Sequence, residues 1–446
     1  MAADIAGLPF GEIHFDENGG FLDSEAVESF LQGLPALGLT DLFIFSHGWN
    51  NSQPMAQLLY ERFFTQLSQV ASTLGTPGQP RLRDAKIGAI GLYWPAMRWA
   101  DEDSPTPAVA ASLGGAAPPS DAKLVSDLKM VFQTPKQQRA LDEMAQLLQA
   151  RSGEPNDLLR FRELMNVLAT QQDATEAPED NGEQKGLLED APMNVFSRLG
   201  ALSPRPRQEG AAALMGPVVE DLWDGAKEAL RVLTYWQMKL RAGVVGQEGL
   251  GPFLVRIHNL LPALRIHLIG HSFGARLISF ALAGLPDAYV GAETPVKSAL
   301  LLQGAFSRYA FAAPLPFDGT RNGALAGQAA HVDGPIAVTH TLFDLAVGDA
   351  YPAASIVGRD DASALGDEML VQWWAMGHKG ASAGSVVPLT LGPVGSAYAF
   401  QAGQFANLDS NSIIKTGGPP SGAHSDIIHP EIAWATLSAA GIAGKP

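Results

Sequence analysis

Short, nearly continuous apolar runs alternate along this chain with longer stretches whose apolar residues recur about once per helical turn. Residues 41 to 46, Asp-Leu-Phe-Ile-Phe-Ser, predict a strand buried on both faces. Apolar positions 55, 58, 59, 63, 67 and 70 follow at helical spacing, which predicts a helix opening near Ser52 or Gln53 with Pro54 in its first turn. A second strand is predicted over 86 to 93 and is closed by Trp94-Pro95. Strand, helix and strand in that order imply a parallel βαβ unit.

The alternation breaks between 101 and 215, where Pro- and Ala-rich loops and a polar stretch flank helical segments at 122 to 132 and 137 to 150. This reads as an insertion that splits a core into 1–100 and 216–446. It follows a strand and re-enters ahead of another, which would set it over the carboxyl end of a sheet as a cap or lid. Its apolar positions Leu124, Leu128, Met130, Val131 and Phe132 suit the insertion's own core better than a substrate pocket. Beyond it, helices are predicted at 219 to 241 and 251 to 261, a strand at 265 to 269 and a helix at 274 to 284. Strands at 297 to 303 and 335 to 342 follow, then a helical stretch near 366 to 377, a strand pair within 386 to 415 and a last helix at 430 to 442. With no internal period, the pattern predicts a doubly wound, mostly parallel α/β sheet.

Composition narrows the chemistry. The 446 residues, 46% of them hydrophobic, can bury a large core. A formal net charge of -16 argues against a nucleic-acid partner, because phosphate repels a carboxylate-rich chain. The absence of cysteine excludes disulfides, thiolate metal sites and a cysteine nucleophile. The opening Met-Ala-Ala-Asp-Ile-Ala-Gly lacks a basic then apolar leader, and no apolar run is long enough to cross a bilayer. A soluble cytoplasmic protein is the expectation.

The candidate chemistry sits at the end of the strand 265 to 269, in Gly270-His271-Ser272-Phe273-Gly274. A serine hydroxyl is a weak nucleophile until a base and an oxyanion hole can both reach it, and a sharp strand-to-helix turn provides that exposure. Such an elbow tolerates no bulk two residues either side of the serine, and here both positions are glycine. The bland alternative is a serine that caps the next helix. One oxyanion donor is then the Phe273 N–H. The other falls to the loop His47-Gly48-Trp49-Asn50 after an early strand, at the Trp49 N–H, with Gly48 permitting the turn and His47 tying the loop together.

Where a serine stands on such an elbow, an acid and then a histidine are expected to follow it along the chain. Asp344 is the first carboxylate past the strand 335 to 342, with Asp349 in reserve and Asp409 more distant; the alternative for Asp344 is a turn cap. Downstream histidines are His378, His424 and His429. His378 ends a helical run beside Trp373 and Trp374, and His429 precedes Pro430 at the start of the last helix. His424, in the loop Ser421-Gly422-Ala423-His424-Ser425-Asp426, has the freedom that a base requires. H-E-x-x-H, G-x-G-x-x-G after a strand and G-x-x-x-x-G-K-[ST] are all missing, so the expected chemistry needs no cofactor or metal.

Phe45-Ser46-His47-Gly48-Trp49-Asn50-Asn51, Leu92-Tyr93-Trp94-Pro95 and Gly270-His271-Ser272-Phe273-Gly274-Ala275-Arg276 together resemble bacterial α/β-hydrolases with an HG-[FW]-NN oxyanion loop. The resemblance covers roughly residues 40 to 100 and 250 to 442, and it implies the α/β-hydrolase fold with serine-hydrolase chemistry. Carboxylic-ester hydrolysis by Ser272, His424 and Asp344 on a small-molecule or lipid-like ester is the expectation. An amidase, thioesterase or phospholipase, or a scaffold retaining the fold, are the alternatives.

Overall fold

The computed structural model describes residues 3–49, 51–73, 85–96, 121–169, 177–180, 185–202, 219–350, 374–418 and 421–443. The chain divides into two compact units: Met1–Arg98 with Lys239–Tyr351 and Trp374–Pro446, and Trp99–Met238 with Pro352–Trp373. The second unit therefore begins near the start of the expected insertion and runs past its expected end at 215.

The first unit is an α/β sheet. Its strands are β1 (Ala3–Ile5), β2 (Leu8–His14), β3 (Asp41–Ser46), β4 (Ile87–Tyr93), β5 (Arg265–His271), β6 (Val296–Leu302), β7 (Ile336–His340), β8 (Val386–Thr390) and β9 (Phe405–Asp409). They lie in the order β1-β2-β4-β3-β5-β6-β7-β9-β8, and every neighbouring pair is parallel except the β1/β2 hairpin. Successive side chains of a strand face opposite sides. On one face Phe43, Phe45, Ile269, Leu300 and Leu408 pack with Tyr60, Phe63 and Phe64 of helix Gln53–Thr73 and Trp434 and Leu437 of helix Pro430–Ala439. The intervening residues Leu42, Ile44, Leu268 and Leu301 are equally buried on the other side. That burial on both faces is why these strands read as continuous apolar runs.

From β3 the chain steps outward to β4, then returns to β5 on the other side of β3 and proceeds toward β6 and β7. Strand order thus reverses between β3 and β5, and in open parallel sheets the crevice beyond the carboxyl ends at such a point is where ligands bind. The loops that begin at His47 and Ser272 both leave the sheet there.

At the opposite ends of the same strands lies a buried polar chain. His267 Nε2 is 3.1 Å from Asp41 Oδ1, and its Nδ1 is 2.8 Å from the Ser298 hydroxyl. All three residues are sealed in the sheet, at 0%, 1% and 4% exposure for Asp41, His267 and Ser298. A buried carboxylate needs such partners to be tolerated.

Several expectations need correction. The hairpin β1/β2 and helix Ser24–Gly33 precede the first strand read from the pattern. Strand β7 ends at His340, two residues earlier than expected, and Leu342 and Phe343 are exposed. In the turn, the Leu342 N–H donates to Asn411 Oδ1 and the Phe343 N–H to the Thr341 hydroxyl, so these amides leave the ladder. Most of the helical stretch expected at 366 to 377 lies outside the described residues, and the described helix is Met376–Lys379.

The second unit is helical where described, with helices Asp121–Val131, Pro135–Ala150, Pro155–Ala169 and Pro192–Leu202 and the first part of Val219–Val244. Thr134 and Gln137 form a reciprocal capping box before Pro135. A Cβ on Gly225 would fall 1.7 Å from the Phe196 carbonyl oxygen, so Pro192–Leu202 crosses Val219–Val244 at backbone contact. Leu124, Leu128, Val131 and Phe132 are buried, whereas Met130 is 66% exposed and belongs to no core. Among the described residues no helix is long and apolar enough to cross a membrane.

Candidate active site

Ser272 stands between β5 and helix Phe273–Ala283 with φ 58° and ψ -122°, a backbone region that residues with a Cβ rarely adopt. Glycines make the turn possible. A Cβ on Gly270 would lie 2.3 Å from the Gly274 carbonyl oxygen, and one on Gly274 would lie 2.1 Å from that of Ser46. The alternative role as a helix cap does not apply, since the Ser272 side chain makes no capping hydrogen bond. Its amide donates to the Leu302 carbonyl at 3.0 Å, and its own carbonyl accepts from Ala275 and Ala305, which anchors the elbow to the end of β6.

The loop after β3 reaches the serine. A Cβ on Gly48 would lie 2.5 Å from Ser272 Cβ and 3.1 Å from its Oγ, so only glycine leaves the hydroxyl room. His47 holds this loop in place. Its amide donates to the Tyr60 hydroxyl at 3.0 Å, its carbonyl accepts from Trp94 Nε1 at 3.0 Å, and its Nδ1–H donates to the Gly48 carbonyl at 2.8 Å. The ring stacks on Trp94 at 5.5 Å. Asn51 Nδ2 adds bonds to the Gly48 and Trp49 carbonyls. Trp49 packs beside Phe273, ring centres 6.2 Å apart, and Gly48 approaches Ser272, so the loop that carries one expected oxyanion donor lies against the turn that carries the other. Phe273 opens its helix, and amides in a helix's first turn are not used by the helical ladder.

His424 and Asp344 meet. The His424 Nδ1–H donates to Asp344 Oδ2 at 2.8 Å, with the carboxylate fully buried and the imidazole 12% exposed. Their two loops are stitched by a bridge between Asp344 and Gly422 and by the Ala423 amide on the Phe343 carbonyl at 2.8 Å. Asp344 Oδ1 accepts from the Val347 amide at 3.2 Å, so the turn-capping role coexists with the histidine contact. The pair is tied to the elbow through His271, whose Nε2–H donates to the His424 carbonyl at 2.9 Å while the two rings sit 4.9 Å apart. Among the described residues no hydrogen bond joins the Ser272 hydroxyl to His424, whose Nε2 is the ring nitrogen not engaged by Asp344.

The competing residues are otherwise engaged. Asp409 accepts from the amide and side chain of Asn411. His429 pairs with Asp426 at 2.8 Å and directly precedes the last helix. His378 sits on helix Met376–Lys379, close enough that a Cβ on Gly348 would lie 2.7 Å from its Nδ1. Asn50 and the side chain of Asp349 lie outside the described residues.

Sequence reasoning missed the roles of His271 and Tyr60. His271 stood in the motif in plain view, but only the folded chain shows that its donor reaches across to residue 424. Burial lowers its pKa to about 3, with a further push from neighbouring His424, and burial lowers that of His47 to about 4. Among the described residues His271 Nδ1 has no hydrogen-bond partner, so a proton there would be stranded. Both rings are neutral in the folded chain, while an unfolded histidine takes up a proton near pH 6.5. Below that point the unfolded chain binds more protons, so the stability these two neutral rings contribute is fully present above pH 6.5 and falls as the pH drops toward 4. Each ring contributes about 1.4 kcal/mol per pH unit to that slope. Urea midpoints measured from pH 7.5 to 4.5 should decline accordingly, and less steeply in His47→Gln. An equal slope in that variant would contradict a neutral buried His47.

Comparisons of this chain with models of known protein families, with curated proteins and with solved structures return no match.

Proposed function

We propose that this chain is a serine hydrolase of the α/β-hydrolase fold that cleaves carboxylic esters through an acyl-enzyme. What carries the reading is one conjunction: a serine held at positive φ on a strand-to-helix turn, with a buried carboxylate–histidine pair hydrogen-bonded to the residue beside it. In the proposed cycle His424 Nε2 takes the Ser272 proton as Oγ attacks the ester carbonyl. The Phe273 and Trp49 amides hold the oxyanion. Collapse of the tetrahedral intermediate breaks the ester C–O bond, and the same imidazolium protonates the departing alcohol. Water then repeats the sequence on the acyl-serine. Asp344 keeps Nδ1 protonated and stabilises the imidazolium. The separation of Ser272 from His424 is compatible with this, because such hydrogen bonds are often long or poorly aligned until substrate occupies the site.

The test is labelling by a fluorophosphonate followed by peptide mapping, with hydrolysis of short and long p-nitrophenyl esters followed in parallel. The adduct is expected on Ser272. It is not expected on Ser298, whose Asp41–His267–Ser298 chain has the residue types of a triad but no elbow and no access. Folded protein that neither labels nor turns over ester would replace the enzyme reading with a scaffold.

Gly48→Ala follows from the same geometry. Its methyl would meet Ser272 Cβ at 2.5 Å, so the nucleophile must shift. A misplacement near 1 Å can cost about 100-fold in rate, and a loss of that order in kcat/KM is expected in folded protein. Wild-type kcat/KM in the folded variant would remove the loop after β3 from the site.

A further inference from the structure

The residue after β6, Gln303, is fully buried and stands in the left-handed region at φ 46°. For a residue with a Cβ this conformation is unfavourable, and it persists only where the surroundings over-determine it. Here they do. The Gln303 Nε2 donates to Asp344 Oδ2 at 2.8 Å and to the Gly377 carbonyl at 3.0 Å, and its Oε1 accepts from the Thr339 hydroxyl at 3.0 Å. The backbone fixes which end of the amide faces which partner. Thr339 Oγ1 already accepts from the Gln303 N–H at 3.1 Å, so its proton is available for Oε1, while the carboxylate and the Gly377 carbonyl can only accept. The amide therefore cannot be reversed without setting oxygen against oxygen.

We propose that Gln303 is a positioning residue that acts through Asp344; the inference rests on the hydrolase reading above. It turns Oδ2 toward His424 Nδ1 by occupying the other side of the same oxygen, while Val347 N–H holds Oδ1. The carboxylate is thus gripped by one charge-neutral donor at each oxygen and left with one direction for the imidazole. The strand geometry supplies the reach. Leu302, the preceding residue, accepts the Ser272 amide, so one segment of chain sets both the elbow and the acid. The Gly377 amide on the Gly304 carbonyl at 2.9 Å and the Thr341 amide on the Gly377 carbonyl at 3.0 Å close the frame around the glutamine. Among the described residues, the titratable and charged groups on the elements that make this frame are Asp344 and His424 themselves, His271 against His424, His340 beside Thr339 at the end of β7, and His378 and Lys379 on Met376–Lys379.

The decisive variant is Gln303→Glu, which keeps shape and the acceptor for Thr339 but places a second carboxyl against Asp344. Two carboxyl groups in contact share a proton at low pH and repel when both ionise. At acidic pH the introduced carboxyl, protonated, still donates to Asp344; as pH rises the donor is lost. The expected result is a new falling alkaline limb in kcat and in the fluorophosphonate labelling rate, with KM little changed. Gln303→Met, which removes the donor at every pH, should lower kcat roughly 10- to 100-fold without such a limb, the usual range for a hydrogen bond to a charged group. A pH profile for Gln303→Glu that parallels wild type, or wild-type kcat in Gln303→Met, would overturn the proposal. Failure of both variants to fold would count for a purely structural role. Wild type that does not label at all sinks the hydrolase reading instead, so the two failures are distinguishable.

Discussion

Ser272→Ala is expected to lower ester turnover about a millionfold in kcat, while the chain folds as before. The size follows from how the proposed parts act as a unit. Without the hydroxyl, His424 has no proton to take and the oxyanion donors have no tetrahedral centre to hold, so only substrate binding and a trace of water attack remain. A second variant tests the backbone separately. Alanine retains the Cβ that makes φ 58°, ψ -122° unfavourable, whereas glycine relieves it. Ser272→Gly should therefore be as inactive as Ser272→Ala yet more stable by about 1 kcal/mol, a partial release because glycine also gains freedom when unfolded. Turnover by p-nitrophenyl ester assay and urea unfolding of both variants read the two effects. Residual activity within a hundredfold of wild type in Ser272→Ala would refute the nucleophile, and equal stability of the pair would refute stored strain at the turn.

Much of this frame was legible in the chain because burial writes itself into composition. Strands covered on both faces, such as Phe43-Ile44-Phe45 and Leu300-Leu301-Leu302, have no polar positions to dilute the signal, and their order relative to the helices fixed a parallel sheet. The hairpin β1/β2 escaped because Gly7 and Gly11 interrupt it and Glu12 and His14 give it mixed polarity. The candidate site was legible where a local backbone demand excludes other residues: Gly270 and Gly274 around the elbow, Gly48 against the serine. It was not legible where the arrangement depends on contacts between distant segments. Nothing in Leu301-Leu302-Gln303-Gly304 says that the glutamine will face a carboxylate 41 residues later, and nothing in the motif says that His271 will bond to a carbonyl 153 residues away. Such contacts are created by strand order, and a buried polar side chain looks the same in the sequence whether it serves a site or only itself. The Asp41–His267–Ser298 chain makes the point from the other direction. It has an acid, a histidine and a serine in contact, but at the amino ends of the strands, where neither a turn nor a crevice exposes the hydroxyl.

Asp344→Ala is expected to reduce kcat by about 10⁴-fold, the scale on which removal of the acid alone acts in enzymes of this chemistry. Three donors converge on this carboxylate: His424 and Gln303 on Oδ2, and Val347 on Oδ1. Deleting it frees the imidazole to rotate or to change tautomer and leaves the buried Gln303 and Val347 N–H groups short of an acceptor. Each unsatisfied donor costs about 1–3 kcal/mol, so the variant should also unfold at lower urea. Asp344→Asn separates charge from orientation. Its NH2 group would face two donors at the Oδ2 position but only one at Oδ1, so the amide oxygen should stay with His424 and Gln303 while the NH2 turns to Val347. His424 would then keep its Nδ1 proton and lose only the negative charge beside it. The expected loss for Asp344→Asn is smaller than for Asp344→Ala, whereas a loss of about 10⁴-fold in both would mean that the new NH2 faces His424 and reverses its tautomer. Steady-state kcat for the two variants, compared at the same pH, reads the difference. If Asp344→Ala stays within tenfold of wild type, the acid lies elsewhere, and the buried carboxylate is a structural cap for the turn at Val347.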